Sequence, residues 1–246
     1  MQSIGDIIQH DRRRHEEWHE ACADCGQRYQ GIGFRCGPCA RATRERHDSE
    51  ARRRAIVTDT TIARDMLPPW QDWATFEGLD RHPGIDRTLY AAAKGWKRRA
   101  GNLLMLGPTG IGKTALAHAI ARRILSTAIN AKELDERDQH FACNLRWYAA
   151  SKLAVARRQA PLGEGEASAV DNASRASLLV LDELGFEVST DVTLFDVIDA
   201  RYVRRAPTIV TCGRSAASLA ERYGSAFVRR LVELGSVVDV HPRANS

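Results

Sequence analysis

Residues 107–114 read Gly-Pro-Thr-Gly-Ile-Gly-Lys-Thr, a complete GxxxxGKT loop, and this octet constrains the fold of the 246-residue chain more than any other stretch. The motif requires a buried strand before it and a helix after it. Both signals are present: Leu103-Leu104-Met105-Leu106 is a short apolar run, and Ala115, Leu116, Ala119, Ile120 and Ile124 recur at helical spacing. Glycines within the loop let the backbone turn tightly and aim successive N–H groups at phosphate oxygens, while the helix N-terminus adds its positive dipole end. The expected ligand is a nucleoside triphosphate held by Gly107, Pro108, Thr109, Gly110, Ile111, Gly112, Lys113, Thr114 and Ala115. Lys113 is expected to reach the β- and γ-phosphates and Thr114 to ligate magnesium.

Downstream, Leu178-Leu179-Val180-Leu181 ends in Asp182-Glu183, a buried-strand pattern delivering two carboxylates at its C-terminal edge, where open α/β sheets bind ligands. Asp182 would hold the magnesium and Glu183 would orient or deprotonate an attacking water. Adjacent acids at a strand end also cap helices or meet solvent. A third strand, Thr208-Ile209-Val210-Thr211-Cys212, places Thr211 where a polar group can touch the γ-phosphate, with Arg214 close behind. Arg229 and Arg230 lie on a predicted helix, read either as an exposed basic face or as an arginine finger supplied to a neighbouring subunit.

The pattern from residue 85 alternates: helix 85–99, strand 102–106, helix 113–127, strand 140–145, helix 149–159, strand 178–182, helix 190–204, strand 207–212, helices 215–222 and 225–234, strand 236–240. Alternation of this kind predicts an α/β fold, a parallel sheet with helices on both faces. The Ser/Ala/Gly stretch 161–176 reads as a flexible loop. Pro68-Pro69 stops any helix arriving from the arginine-rich, solvated segment 40–54, so the division falls between residues 55 and 72, giving an N-terminal module at 1–55 and an ATPase domain at 72–246. Ile4, Ile7, Ile8 and Trp18 among charges suggest an amphipathic helix ahead of that module.

Four of the six cysteines form two CxxC pairs, Cys22/Cys25 and Cys36/Cys39, with ten residues between the pairs. This spacing fits a closed tetrahedral zinc site, with a redox dithiol as the other reading, and Ile32 and Phe34 as a minimal core beneath the metal. Cys143 and Cys212 stand alone in apolar surroundings and read as core residues. No apolar run reaches bilayer length and no signal peptide is visible, so a cytoplasmic location is expected. The formal charge of +5 permits a polyanionic partner. Basic residues cluster at Lys94–Arg99, at Arg146, Lys152, Arg157 and Arg158, and from Arg201 to Arg214. The middle cluster includes Trp147 and Tyr148, so cations and rings together would suit sequence-independent binding of single-stranded DNA, the alternative being an ordinary core tryptophan beside a solvated helix face.

Taken together, Thr75-Phe76-Glu77, GPTGIGKTALAHAIA at 107–121, LLVLDELG at 178–185, Arg201-Tyr202 followed by Ala206-Pro207-Thr208-Ile209-Val210-Thr211, and Glu221-Arg222-Tyr223-Gly224 through Arg229-Arg230-Leu231 resemble the helicase-loader ATPases of the DnaC/IstB type, in the AAA+ superfamily. The resemblance implies Walker A residues Lys113 and Thr114, Walker B residues Asp182 and Glu183, and Arg230 as the finger. It implies ATP, Mg2+ and Zn2+ as cofactors, a replicative helicase and single-stranded DNA as partners, and a homo-oligomer when ATP is bound. Transposon-borne relatives instead assist a transposase; the cysteine module resembles the loader form. Cys212-Gly213 stands where the family commonly has Thr/Ser-Asn, which leaves a nucleotide-gated adaptor that binds ATP with little hydrolysis as a further reading.

Overall fold

The computed structural model describes residues 19–30, 34–65, 67–69, 73–130, 144–161, 165–188 and 192–241. The expected N-terminal amphipathic helix, Ile32 and Cys143 lie outside the described residues. The chain divides into two compact units, Met1–Ala55 and Ile56–Ser246. No helix among the described residues is long and apolar enough to cross a membrane.

In the first unit β1 (His19–Ala21) pairs antiparallel with β2 (Arg28–Gln30). The turn between them is closed by Cys22 N–H to Gln27 O at 2.9 Å and Gly26 N–H to Cys22 O at 2.8 Å. Helix α1 (Gly37–Asp65) begins beside the second cysteine pair. Its sequence has no apolar stripe, so its described side chains remain largely in solvent. Phe34 is 83% exposed and contributes no core beneath the cysteines, contrary to the sequence expectation.

Five parallel strands organise the second unit: β3 (Asn102–Leu106), β4 (Leu145–Ala149), β5 (Leu178–Leu184), β6 (Thr208–Cys212) and β7 (Gly235–Asp239), in spatial order β4-β5-β6-β3-β7. An all-parallel sheet must be covered on both faces, and the alternation of side chains shows how. Leu103, Met105, Leu178, Val180 and Ile209 point to one face, where they pack with residues of α2 (Phe76–Asp80), α3 (Arg87–Gly95) and α4 (Lys113–Asn130). Leu104, Leu106, Leu179, Leu181 and Val210 point to the other, against α5 (Ala150–Ala154), α7 (Ser168–Arg175), α8 (Val192–Val203), α9 (Ala216–Tyr223) and α10 (Ser225–Val232), with the short α6 (Ala156–Gln159) between α5 and α7 in sequence. Helix starts are set by polar caps: Thr75 Oγ1 accepts from Gly78 N–H, Asp86 from Thr88 and Leu89 N–H, and Ser215 Oγ from Ser218 N–H.

Three sequence expectations change. The strand placed at 140–145 is β4 at Leu145–Ala149; bonded among the described strands only to β5, at the sheet edge, it tolerates the polar Arg146, which weakened its apolar signature. The predicted loop 161–176 contains α7, whose Val170 and Ala173 are buried and whose Asp171 and Arg175 pair at 2.6 Å along the helix. The helix expected over 149–159 is broken at Val155 into α5 and α6.

Arg201, grouped with surface cations in the sequence reading, is 1% exposed. Its Nε donates to Thr208 Oγ1 at 2.9 Å, one terminal nitrogen to Ala173 O and Ala176 O at 2.8 Å each, and the other to Pro207 O at 2.6 Å. The guanidinium therefore stitches the carbonyl-rich end of α7 to the start of β6, and burial pushes its pKa down to about 9. Asn102 does a similar job at the start of β3, donating to Leu231 O and accepting from Thr208 N–H, both at 2.8 Å.

Candidate functional site

Because β6 lies between β3 and β5, the chain leaving each of these three strands emerges at one edge of the sheet, bordering a cavity of about 370 Å³. Its lining includes Thr109, Gly110, Gly112, Lys113, Thr114 and Ala115 from the glycine loop and start of α4, Glu183 near the C-terminal end of β5, and Thr211, Cys212 and Gly213 from the end of β6. Trp73, His82, Ile85 and Phe186 complete the wall, and the rings of Trp73 and His82 stack at 5.0 Å. None of these four was identified as a site residue from sequence, because they join the loop only through tertiary packing.

The loop fits an anion. At Gly112 φ is +91° and a Cβ would lie 2.2 Å from Ile85 Cδ1, so only glycine leaves the loop its shape. Lys113 is 8% exposed and donates to Gly107 O at 2.8 Å and Pro108 O at 2.6 Å. Among the described residues no carboxylate lies within ion-pair distance of it, and burial lowers its pKa. A buried ammonium held only by its own loop's carbonyls is completed by an anionic ligand.

The acid pair meets the loop directly. Thr114 Oγ1 donates to Asp182 Oδ1 at 2.9 Å, so the two candidate magnesium ligands converge on one point. Thr211 Oγ1 donates to the same oxygen at 2.5 Å and accepts from Glu183 N–H at 2.9 Å. Burial raises the Asp182 pKa, and the hydroxyls of Thr211 and Thr114 oppose that rise. Leu181 pairs with Val210 and Leu184 with Cys212, so β5 carries one extra residue there; the bulge contains Asp182 and Glu183, and Glu183 takes a left-handed φ of 58°. Asp182 is buried while Glu183 is exposed to the cavity: adjacent residues, opposite environments.

The Thr211 hydroxyl, read from sequence as a contact for phosphate, is committed to the acid pair in this structure. Arg214 donates instead to Gly185 O at 2.9 Å. At Gly213 a Cβ would fall 2.6 Å from Phe186 Cζ, so the Phe186 ring fills the space that a longer side chain at position 213 would need. Arg230 is bonded to Asp199 Oδ1 at 2.5 Å and lies over the Phe195 ring at 4.8 Å; Arg229 is more exposed, 3.6 Å from Glu233.

The expected DNA cluster is only partly a surface. Trp147 lies within β4, 7% exposed and edge-on to His118, so it is a core ring unavailable for base stacking. Tyr148 packs partly buried against the other face. Arg157 is spent on Glu166 at 2.6 Å and Asp196 at 2.5 Å, leaving Arg146 half-buried and Lys152 and Arg158 exposed.

In the first unit the four sulfurs of Cys22, Cys25, Cys36 and Cys39 lie within 4.8 Å of one another, with Cys25 and Cys36 at 3.8 Å. A tetrahedral zinc with Zn–S near 2.3 Å requires sulfurs about 3.8 Å apart. Hydrogen bonds led by the Cys36 N–H lower the Cys22 thiol to about 6, whereas Cys39, crowded by the other sulfurs and Cys36 first, is raised. This donor set can hold one thiophilic cation.

A profile of the IstB-like ATP binding protein family matches residues 45–241. The chain belongs to that family. This IstB-like chain is 30% identical over 152 residues to a protein of Sinorhizobium fredii named as an insertion sequence ATP-binding protein, covering 59% of this chain and 46% of the relative. It is 32% identical over 150 residues to the protein named for ATP binding in insertion sequence IS1162 of Pseudomonas fluorescens, covering 56% of each. It thus spans about half the length of the curated relatives it matches. AMPPCP-bound DnaA from Aquifex aeolicus shares the fold, with a TM-score of 0.51 and 20% identity over 69% of this chain and 50% of that one. The DnaC helicase loader structure overlaps 66% of this chain and 96% of its own, at 22% identity and a TM-score of 0.48. The cysteine cluster precedes the family match, which begins at residue 45.

Proposed function

We propose that this IstB-like chain is a magnesium-dependent ATPase that loads a replicative helicase onto single-stranded DNA and uses hydrolysis to time release. The observation that carries the reading is the Thr114–Asp182 hydrogen bond across 68 positions of sequence, which brings glycine loop and acid pair to one metal-sized point. When bound, magnesium would neutralise charge on the triphosphate. Lys113 exchanges its loop carbonyls for phosphate oxygens. Thr114 and Asp182 hold the metal, and Glu183, exposed beside them, orients a water and takes its proton. Arg230, released from Asp199, serves as the finger for a neighbouring copy, with Arg229 next to it in the helix. Cys22, Cys25, Cys36 and Cys39 would hold zinc, which would supply folding free energy to the helicase-binding module, and Arg146, Lys152 and Arg158 contact the DNA backbone.

Expected results are ATP hydrolysis by the wild-type chain, its loss in Lys113→Ala, and ATP-dependent capture of a purified replicative helicase. Equal turnover in wild type and Lys113→Ala would end the enzymatic reading. A second reading, an ATP-binding helper of transposition, is favoured by the insertion-sequence relatives. Preference for duplex over single-stranded DNA, with filament formation and no helicase capture, would select it.

A further inference from the structure

Two residues beyond the Asp182–Glu183 bulge, the chain is fixed by a buried carboxylate that neither the phosphate loop nor the metal ligands use. Glu187 is 4% exposed. Its Oε1 accepts the Gly185 N–H at 3.1 Å. Its Oε2 receives the Tyr223 hydroxyl and lies 3.4 Å from an Arg222 terminal nitrogen, and that same nitrogen also donates to the Glu187 backbone carbonyl. From the β6 side Arg214 donates to Gly185 O at 2.9 Å. Both polar groups of residue 185 are thereby held, one through Glu187 and one through Arg214.

Burying a carboxylate costs stability unless every oxygen finds donors, and a well-packed apolar residue would avoid the cost. The donors come from the C-terminal end of α9, and the Tyr223 ring is itself anchored by stacking on Phe227 of α10 at 4.7 Å. Burial, and then Glu187, raise the Tyr223 pKa, so its hydroxyl stays protonated as a donor. What this arrangement holds is the turn leading out of Glu183, whose φ of 58° an L-residue abandons unless its neighbours fix it.

We propose that Glu187 is a positioning residue: through Gly185, and braced by Arg222 and Tyr223, it keeps the Glu183 backbone left-handed and so aims the Glu183 carboxylate at the attacking water. The inference rests on the ATPase reading of the site. Helix α9 is thereby joined to the acid pair through one carboxylate.

The test measures kcat and ATP affinity, the latter with a fluorescent ATP analogue, on the full chain as wild type, Lys113→Ala, Glu187→Ala, Glu187→Gln and Tyr223→Phe. Misaiming of a reacting group by about 1 Å costs about 10²-fold, so Glu187→Ala should lose about that in kcat while analogue affinity stays within about threefold of wild type. Glu187→Gln keeps an acceptor for Gly185 N–H and should recover kcat to within about tenfold of wild type. Tyr223→Phe keeps the ring on Phe227 and should fall between Glu187→Ala and wild type; it carries the test if Glu187→Ala does not fold. Unchanged kcat in these variants, or a loss of affinity in step with kcat, overturns the positioning role while leaving the ATPase reading intact. Wild-type turnover no greater than that of Lys113→Ala removes the ATPase reading, and this inference with it.

Discussion

Thr211→Val separates two roles for a hydroxyl at the end of β6. Valine matches threonine in shape, so the substitution opens no cavity, but it removes a hydrogen bond to Asp182 and leaves the Glu183 N–H without its acceptor. A hydrogen bond to a charged group contributes about 1.5–3 kcal/mol, and a buried donor left unpaired costs about 1–3 kcal/mol; allowing for overlap, the ligand-free protein should lose about 3 kcal/mol. For a unit of this size that lowers Tm by about 6–12 °C. The pH dependence follows from the raised Asp182 pKa. Relative to the unfolded chain the fold favours the protonated acid, so this favourable contribution is complete below the unfolded pKa and is lost as pH rises through the folded one. Removing a hydrogen bond that favoured the ionised form raises the folded pKa further, so Thr211→Val should be more destabilising at pH 8 than at pH 4. Thermal and urea unfolding without nucleotide at both pH values is the assay. A ligand-free stability within about 0.5 kcal/mol of wild type, combined with lost turnover, would refute this account and restore Thr211 as a phosphate contact.

Arg201→Lys should destabilise by about 2–4 kcal/mol, read as a lower urea midpoint at unchanged slope, because an ammonium cannot span the four acceptors that the guanidinium fork reaches; a midpoint equal to wild type would show that charge alone suffices there. One zinc per chain should be released by a strong chelator, and release should expose residues 19–36 to protease while leaving ATP affinity unchanged. Protons compete for thiolates, so zinc should also leave as pH falls; unaltered proteolysis after chelation would exclude a structural metal.

Strands β3 and β5 were legible in the sequence because burial on both faces writes four-residue apolar runs, and β6 because it is rich in β-branched residues. At the sheet edge the signal weakens, which displaced β4, and the small residues of α7 read as a loop although Val170 and Ala173 bury a face. Motif spacing named Thr114 and Asp182 as candidates but carried no information on the bulge beside them, since that bulge exists only in the pairing with β6. Charge misled at two positions. Arg201 and Arg157 counted as surface cations, yet one is enclosed by carbonyls and the other is spent on two carboxylates. Glu187 carried no local signal because its side-chain donors lie 35 and 36 residues away.

Under the proposed ATPase reading, the left-handed backbone at residue 183 sets two selective pressures against each other. Glycine would occupy that conformation freely, whereas an L-residue gives up about 1–2 kcal/mol to stay there. A screen rewarding heat resistance alone would drift toward glycine at this codon, and a screen rewarding phosphate release would restore the glutamate.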